Sequence, residues 1–263
     1  MRLVPLTFLL LAACGSSASA PKWPASPCHQ TLFESARFTV CYPGKGQLRL
    51  VAAGRDEAPL RSFAELAKRV PADQVVFAMN AGMFDGDGRP IGLAIADGQP
   101  LHAINLRDGG GNFHLKPNGV FVVRNSGAAS IVVSEAFNMA PDIALATQSG
   151  PMLVIDGAIH PRFNPDGESR FIRNAVGIAP DGHPLFVISN EVVSFGKLAR
   201  FFRDALHVRN ALYFDGSVSS LWDPAAGRQD AGVPLGPIII ALKATKLSKP
   251  GASAPGRAGR ATP

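Results

Sequence analysis

Apolar positions along this chain come mostly in brief runs, cut short by Gly, Asn, Asp and Pro. The stretches "GLAIADG", "NGVFVV", "ALATQSG", "PMLVIDG" and "NAVGIAPDGHPLFVIS" read as short strands, and Asp181-Gly182 in the last is a hairpin signal. Helical spacing occurs twice. Leu60, Phe63, Leu66, Ala67 and Val70 predict an amphipathic helix over 59–70, stopped by Pro71 and followed by a buried strand, "VVFAMN". Ser194 reads as the N-cap of a second helix with Leu198, Phe201, Phe202, Ala205 and Leu206 on one face. That helix runs into the strand "ALYF", which stops at Asp215-Gly216. A final strand is expected over 237–242. About ten short strands and two main helices predict an α+β fold: a single domain with a twisted mixed or mainly antiparallel sheet and the two helices packed on it. No internal repeat of fixed period interrupts this reading.

The two ends of the 263-residue chain break the pattern. Met1-Arg2 and the apolar run Leu3 to Ala13 are too short to span a bilayer and read as a signal peptide over 1–13. Leu11-Ala12-Ala13-Cys14 is similar to a bacterial lipobox, which makes Cys14 the expected lipidation site. Cleavage after Ala20 by an ordinary signal peptidase is the alternative, although Pro21 suits it poorly. Residues 14–27 then form a lipid anchor and Ser/Ala/Pro linker, 28–242 the folded domain, and 243–263 a disordered basic tail. The expected location is exported and periplasmic, with a lipid anchor in the outer membrane.

The formal charge of +6 raises the question of nucleic acid, but the tail's Lys243, Lys246, Lys249, Arg257 and Arg260 carry most of it. Little excess is left for the folded part, so no nucleic-acid partner is expected. With Cys14 lipidated, two cysteines remain in an oxidising compartment, and Cys28 to Cys41 is the expected disulfide. Two buried free thiols are the alternative. Neither cysteine lies at zinc-ligand spacing.

Common catalytic motifs are missing: there is no His-Glu-x-x-His, Cys-x-x-Cys, Walker loop or Gly-x-Ser-x-Gly. Ser194-Phe195-Gly196-Lys197 matches Ser-x-x-Lys, but helix capping already accounts for Ser194. Asp85 and Asp87 in "FDGDG" lack the other ligands of a calcium loop. No metal site is assigned and no cofactor is expected, with a divalent cation left open. What remains is a set of polar residues where strands stop. Asn80 ends "VVFAM" and Asp215 ends "ALYF", each on a rigid support beside Gly82 or Gly216, where a ligand could approach the backbone. Both are also ordinary turn starters. Arg173 opens "NAVGI" and offers a planar anion clamp or a surface ion pair. Gln148 and Ser149 stand at another strand end and Asn118 at a turn, each beside glycine.

Taken in order, "FAMNAGMFDGDGRPIGLAI", "GNFHLKPNGVF", "ATQSGPMLVIDGAIHPRF", "IRNAVGI", "VSFGKLARFFRDAL" and "NALYFDGSVSSLW" resemble the phosphodiester glycosidase family, in particular its bacterial branch. The resemblance covers about residues 28–242. It maps the family's Asn-Gly-Gly-x-Phe block onto Asn80 to Phe84, its Arg-x-x-x-Gly block onto Arg173 to Gly177, and its Asp-Gly-Gly-x-Ser block onto Asp215 to Ser219. Ala81 and Ser217 stand where the wider family has glycine.

The resemblance implies hydrolysis of sugar-1-phosphodiesters, of the N-acetylglucosamine-1-phosphodiester kind. Asp215, Arg173 and Asn80 are the expected catalytic residues; Gly82, Asn118, Gln148, Ser149, Gly216, Ser217 and Ser219 are the expected substrate contacts. The expected partner is a small phosphorylated glycan or an envelope polysaccharide. Two other functions suit the same residues: an envelope lipoprotein that binds glycans without cleaving them, and a phosphodiesterase that cuts the P–O bond.

Overall fold

Residues 26–54 and 56–244 are described in the computed structural model. The expected leader, Cys14, most of the linker and the tail beyond residue 244 lie outside the described residues. Seventeen strands, most of them short, pair antiparallel throughout and form three sheets among the described residues. The first runs Cys28–Phe33, Ala36–Cys41, Pro184–Ser189, Asn174–Ile178, Ala211–Tyr213, Met152–Ile155, Ala158–Ile159. The second runs Arg228–Gln229, Leu221–Asp223, Val75–Asn80, Ile238–Leu242, Gln47–Val51. The third runs Gln99–His102, Ala94–Ala96, Ile143–Ser149, Gly119–Arg124, Ala129–Val133.

Inner faces of all three sheets meet on one core. Phe186 of the first sheet lies 5.2 Å from Phe77 of the second and 5.8 Å from Phe121 of the third, ring centre to ring centre. Alternation along each strand produces this, since every second side chain points to the same face. Outer faces are covered separately. Phe38, Val187, Leu198, Phe201 and Tyr213 pack over the first sheet, and Phe63, Leu66, Trp222 and Ile238 over the second.

A single sheet with two main helices is therefore corrected to three antiparallel sheets with two short helices. α1 spans only Phe63–Ala67, capped by Ser62, whose hydroxyl accepts from the Glu65 N–H at 3.1 Å. Arg61 has a left-handed φ of 63°, so residues before Ser62 cannot join the helix. α2 spans Phe195–Arg200, capped by Ser194, and widens into a π turn over Phe201–Ala205. That turn keeps Phe201 and Phe202 buried, with Phe201 stacked on Phe38 at 4.1 Å. The Asp181-Gly182 turn forms as read: Gly182 adopts φ +87° and Ala179 N–H bonds to the His183 carbonyl at 2.9 Å.

Cys28 and Cys41 sit opposite each other in the first hairpin and are joined by a disulfide across 13 residues. Closing a loop of that length removes about 2–3 kcal/mol of unfolded-chain entropy. Cys28→Ala with Cys41→Ala should lower the melting temperature by about 4–12 °C in calorimetry. An unchanged midpoint would mean that the hairpin needs no tether.

Candidate active site

Two asparagines join the first and second sheets. Asn80 ends the strand Val75–Asn80 and Asn174 opens Asn174–Ile178, and both are buried. The Asn174 amide nitrogen donates to the Asn80 carbonyl oxygen at 2.8 Å and to Asn80 Oδ1 at 3.0 Å. Asn80 Oδ1 also accepts from the Ser220 N–H at 2.8 Å. Asn174 Oδ1 faces the other way and accepts from the Asp215 N–H at 3.3 Å and from Ser219 Oγ at 3.1 Å. One side chain thus fixes the ends of two sheets and the turn that carries Asp215.

Asp215 lies two residues beyond the strand Ala211–Tyr213, half-buried, with Oδ1 accepting from the Ser217 N–H at 2.9 Å. No Lys or Arg pairs with it among the described residues. Burial holds its carboxyl above the usual aspartate range, and the Ser217 N–H pulls weakly the other way. Ser219 and Ser220 wall a cleft of about 750 Å³, which is also lined by Arg37, Asn190, Arg228 and Asp230. Arg228 is paired with Asp230 at 2.7 Å, and Arg37, paired with Glu191 outside the lining, adds a second cation beside the serine hydroxyls. Such a lining offers hydrogen-bond partners to hydroxyl groups and cations to an anionic group.

Arg173 is placed otherwise than an open anion clamp. It has no solvent exposure. Its Nε donates to the Val193 carbonyl at 2.9 Å, Nη1 to the Tyr213 hydroxyl at 3.1 Å, and Nη2 to Ser169 O and Oγ at 2.9 and 3.1 Å. The Phe195 ring stacks on it at 3.7 Å. All these partners are neutral, and burial pulls its affinity for the proton downward.

Of the expected substrate contacts, Gly216, Ser217 and Ser219 gather around Asp215. The others are engaged in the scaffold. Gln148 accepts from the Leu93 and Asn105 N–H groups and donates to the Asn105 carbonyl and Ser134 Oγ, which uses its whole amide. Ser149 Oγ donates to the Phe214 carbonyl at 2.7 Å, which holds the strand that leads to Asp215. Asn118 is fully buried, its nitrogen donating to the Phe113 carbonyl at 2.8 Å, while its Oδ1 has no hydrogen-bond partner among the described residues. Gly82 is glycine because a Cβ there would lie 2.4 Å from the Gln148 carbonyl oxygen. Asn174 and Tyr213 were not among the residues read from the sequence. The strand-end rule that points to Asn80 applies equally to Asn174, which opens the strand after Arg173.

Among the described residues no three His, Cys, Asp or Glu side chains group as metal ligands. The family model for phosphodiester glycosidase matches residues 73–231. The Escherichia coli K12 protein YigE is 41% identical over 149 residues, which is 57% of this chain and 58% of that protein, so the alignment spans just over half of YigE. Among solved structures, the catalytic domain of zebrafish N-acetylglucosamine-1-phosphodiester alpha-N-acetylglucosaminidase matches at a TM-score of 0.55 with 15% identity, over 82% of this chain and 81% of that domain. A Synechocystis protein matches at 0.51 with 15% identity, over 82% of this chain and 61% of that one. At such identities the structural likeness concerns the fold.

Two stability measurements check the site. Asn174→Ala strands buried polar groups on both sheets and should cost about 2–4 kcal/mol in denaturant unfolding. Asp215 behaves oppositely. Its folded pKa is raised, so the native state holds a proton that the unfolded chain has released, and stability falls as pH rises through that window. Asp215→Asn cannot ionise and should melt at or above the wild-type temperature at pH 7. A lower midpoint would show that the charged carboxylate stabilises the fold.

Proposed function

We propose, from the premise that this chain belongs to the phosphodiester glycosidase family, that it is an exported hydrolase of sugar-1-phosphodiesters acting on N-acetylglucosamine-1-phosphodiester-like groups. The observation that carries this reading is Asp215: a half-buried carboxylate without a cationic partner among the described residues, fixed through Asn174 beside a cleft lined by serines, Arg37 and Arg228.

In a sugar-1-phosphodiester the leaving group is a phosphate monoester, already a weak base. A second carboxyl group that protonates it is therefore less necessary than in ordinary glycoside hydrolysis. Asp215 stabilises the developing positive charge on the sugar ring or takes a proton from the attacking water. Its raised proton affinity favours the second role near neutral pH. Ser219 stands on the cleft wall within reach of substrate hydroxyls, while Asn80 positions the carboxylate through Ser220 and Asn174. Arg173 contributes its charge from behind the Asp215-Gly216 turn.

The natural partner in this reading is a small phosphorylated glycan or an envelope polysaccharide, met in the periplasm by a protein anchored to the outer membrane through Cys14. The Cys28–Cys41 disulfide supports an oxidising compartment. The test is a screen of sugar-1-phosphodiesters in oxygen-18 water, with and without chelator. Label should enter the sugar, and Asp215→Asn should lose activity by roughly 100-fold or more. Label in the phosphate would mean P–O cleavage, and binding without turnover would mean a glycan-binding protein.

A further inference from the structure

Arg173 poses a problem for the reading above. It is a cation with no exposed surface, so it cannot touch a substrate that occupies the cleft. Burying a charge is costly unless it is compensated, yet every hydrogen-bond acceptor around this guanidinium is neutral. One of those acceptors leads towards the reacting group. The Tyr213 hydroxyl takes the Arg173 Nη1 donor at 3.1 Å, and the Gly216 N–H faces the same oxygen.

Tyr213 is held where it can do this. Its ring is buried, crosses Phe195 edge-on at 4.8 Å, and lies at the end of the strand whose next residues are Phe214 and Asp215. Phe195 is in turn stacked on Arg173 at 3.7 Å and on Phe163 at 5.0 Å. The glycine after Asp215 fits the same arrangement. A Cβ at Gly216 would lie 2.0 Å from the Tyr213 hydroxyl oxygen and 3.4 Å from Arg173 Nη1. Gly216 is therefore required by the hydroxyl beneath it, and no side chain can separate the turn from the tyrosine. Burial pushes the Tyr213 phenol up to about 12, so the hydroxyl stays protonated and neutral at ordinary pH.

We propose that Tyr213 is the positioning residue that ties the Arg173 charge to the Asp215-Gly216 turn, so that Arg173 acts on the reaction through Tyr213 and never contacts substrate. This rests on the reading of Asp215 as the reacting carboxylate. The role differs from simple packing in one respect: Tyr213 and Gly216 must be energetically coupled, and the coupling must show in turnover rather than in substrate affinity.

The experiment is a double-mutant cycle with the methyl diester of N-acetylglucosamine-1-phosphate as probe substrate. Tyr213→Phe should lower kcat about 10-fold with KM within about twofold, because substrate contacts are untouched. Gly216→Ala should lower kcat about 100-fold or more, since its methyl group collides with the hydroxyl. The double variant should recover part of the way towards Tyr213→Phe, because removing the hydroxyl relieves the 2.0 Å contact while the ring carbon beneath still lies 3.2 Å from that methyl group. Single losses that multiply in the double variant, or a wild-type kcat for Tyr213→Phe, overturn the proposal. Should the phenylalanine variant not fold, 3-fluorotyrosine at position 213 keeps ring and hydroxyl but weakens the oxygen as an acceptor. A kcat reduced several-fold at constant KM then supports the proposal, and an unchanged kcat overturns it. If wild-type protein turns over no diester, the hydrolase reading fails by itself. The coupling is then judged from melting temperatures of the same four proteins, where non-additive values support the Tyr213–Gly216 contact and additive ones overturn it.

Discussion

The buried amide pair Asn80–Asn174 is the contact on which the site depends. Three sheets share one core, but apolar packing is tolerant of small shifts, and it cannot by itself hold two strand ends in fixed register. Hydrogen bonds from one amide to the main chain and side chain of the other can, because both groups are buried and a slip would leave them unpaired. Asn174 then extends the constraint to the Asp215 N–H and Ser219 Oγ. The carboxylate is thereby held without a salt bridge, which would have lowered its proton affinity. Position comes from these neutral groups, and the raised proton affinity from burial.

Arg173 is fixed on the same principle. It lies next to Asn174 in sequence, so its main chain is held by the same strand while its side chain runs to the opposite face. There it is enclosed by Phe195, Tyr213 and the Ser169 carbonyl and hydroxyl. Among the described residues no carboxylate partner neutralises it. Neutral acceptors and an aromatic face satisfy its hydrogen bonds while leaving the charge in place. The arrangement costs stability, which suits the proposed reading of the adjoining turn as the place where charge develops.

Much of this was legible in the chain. Strands that end in a polar residue beside glycine marked Asn80 and Asp215, and the order of six blocks carried the family. Asn174 and Tyr213 escaped because each looks like scaffold from its neighbours: an asparagine entering a strand and a tyrosine inside an apolar run. Gln148 and Gly82 show the opposite ambiguity. They have the residue types of ligand contacts, but the Gln148 amide and the missing Cβ of Gly82 serve neighbouring backbone. Sheet number was not legible either, since alternation shows that a run is a strand without showing which strand it joins. The first helix came out short because the left-handed backbone at Arg61 leaves no trace in the spacing of apolar residues.

The central claim is that a neutral, buried network holds Asp215 as an uncompensated carboxylate. A carbon-13 NMR titration of the Asp215 carboxyl, in wild type and in Asn174→Ala, tests it directly. The account predicts a wild-type midpoint above the ordinary aspartate value of about 3.9 and a lower one in the variant, where water reaches the loosened turn. A wild-type midpoint at or below that ordinary value would contradict it.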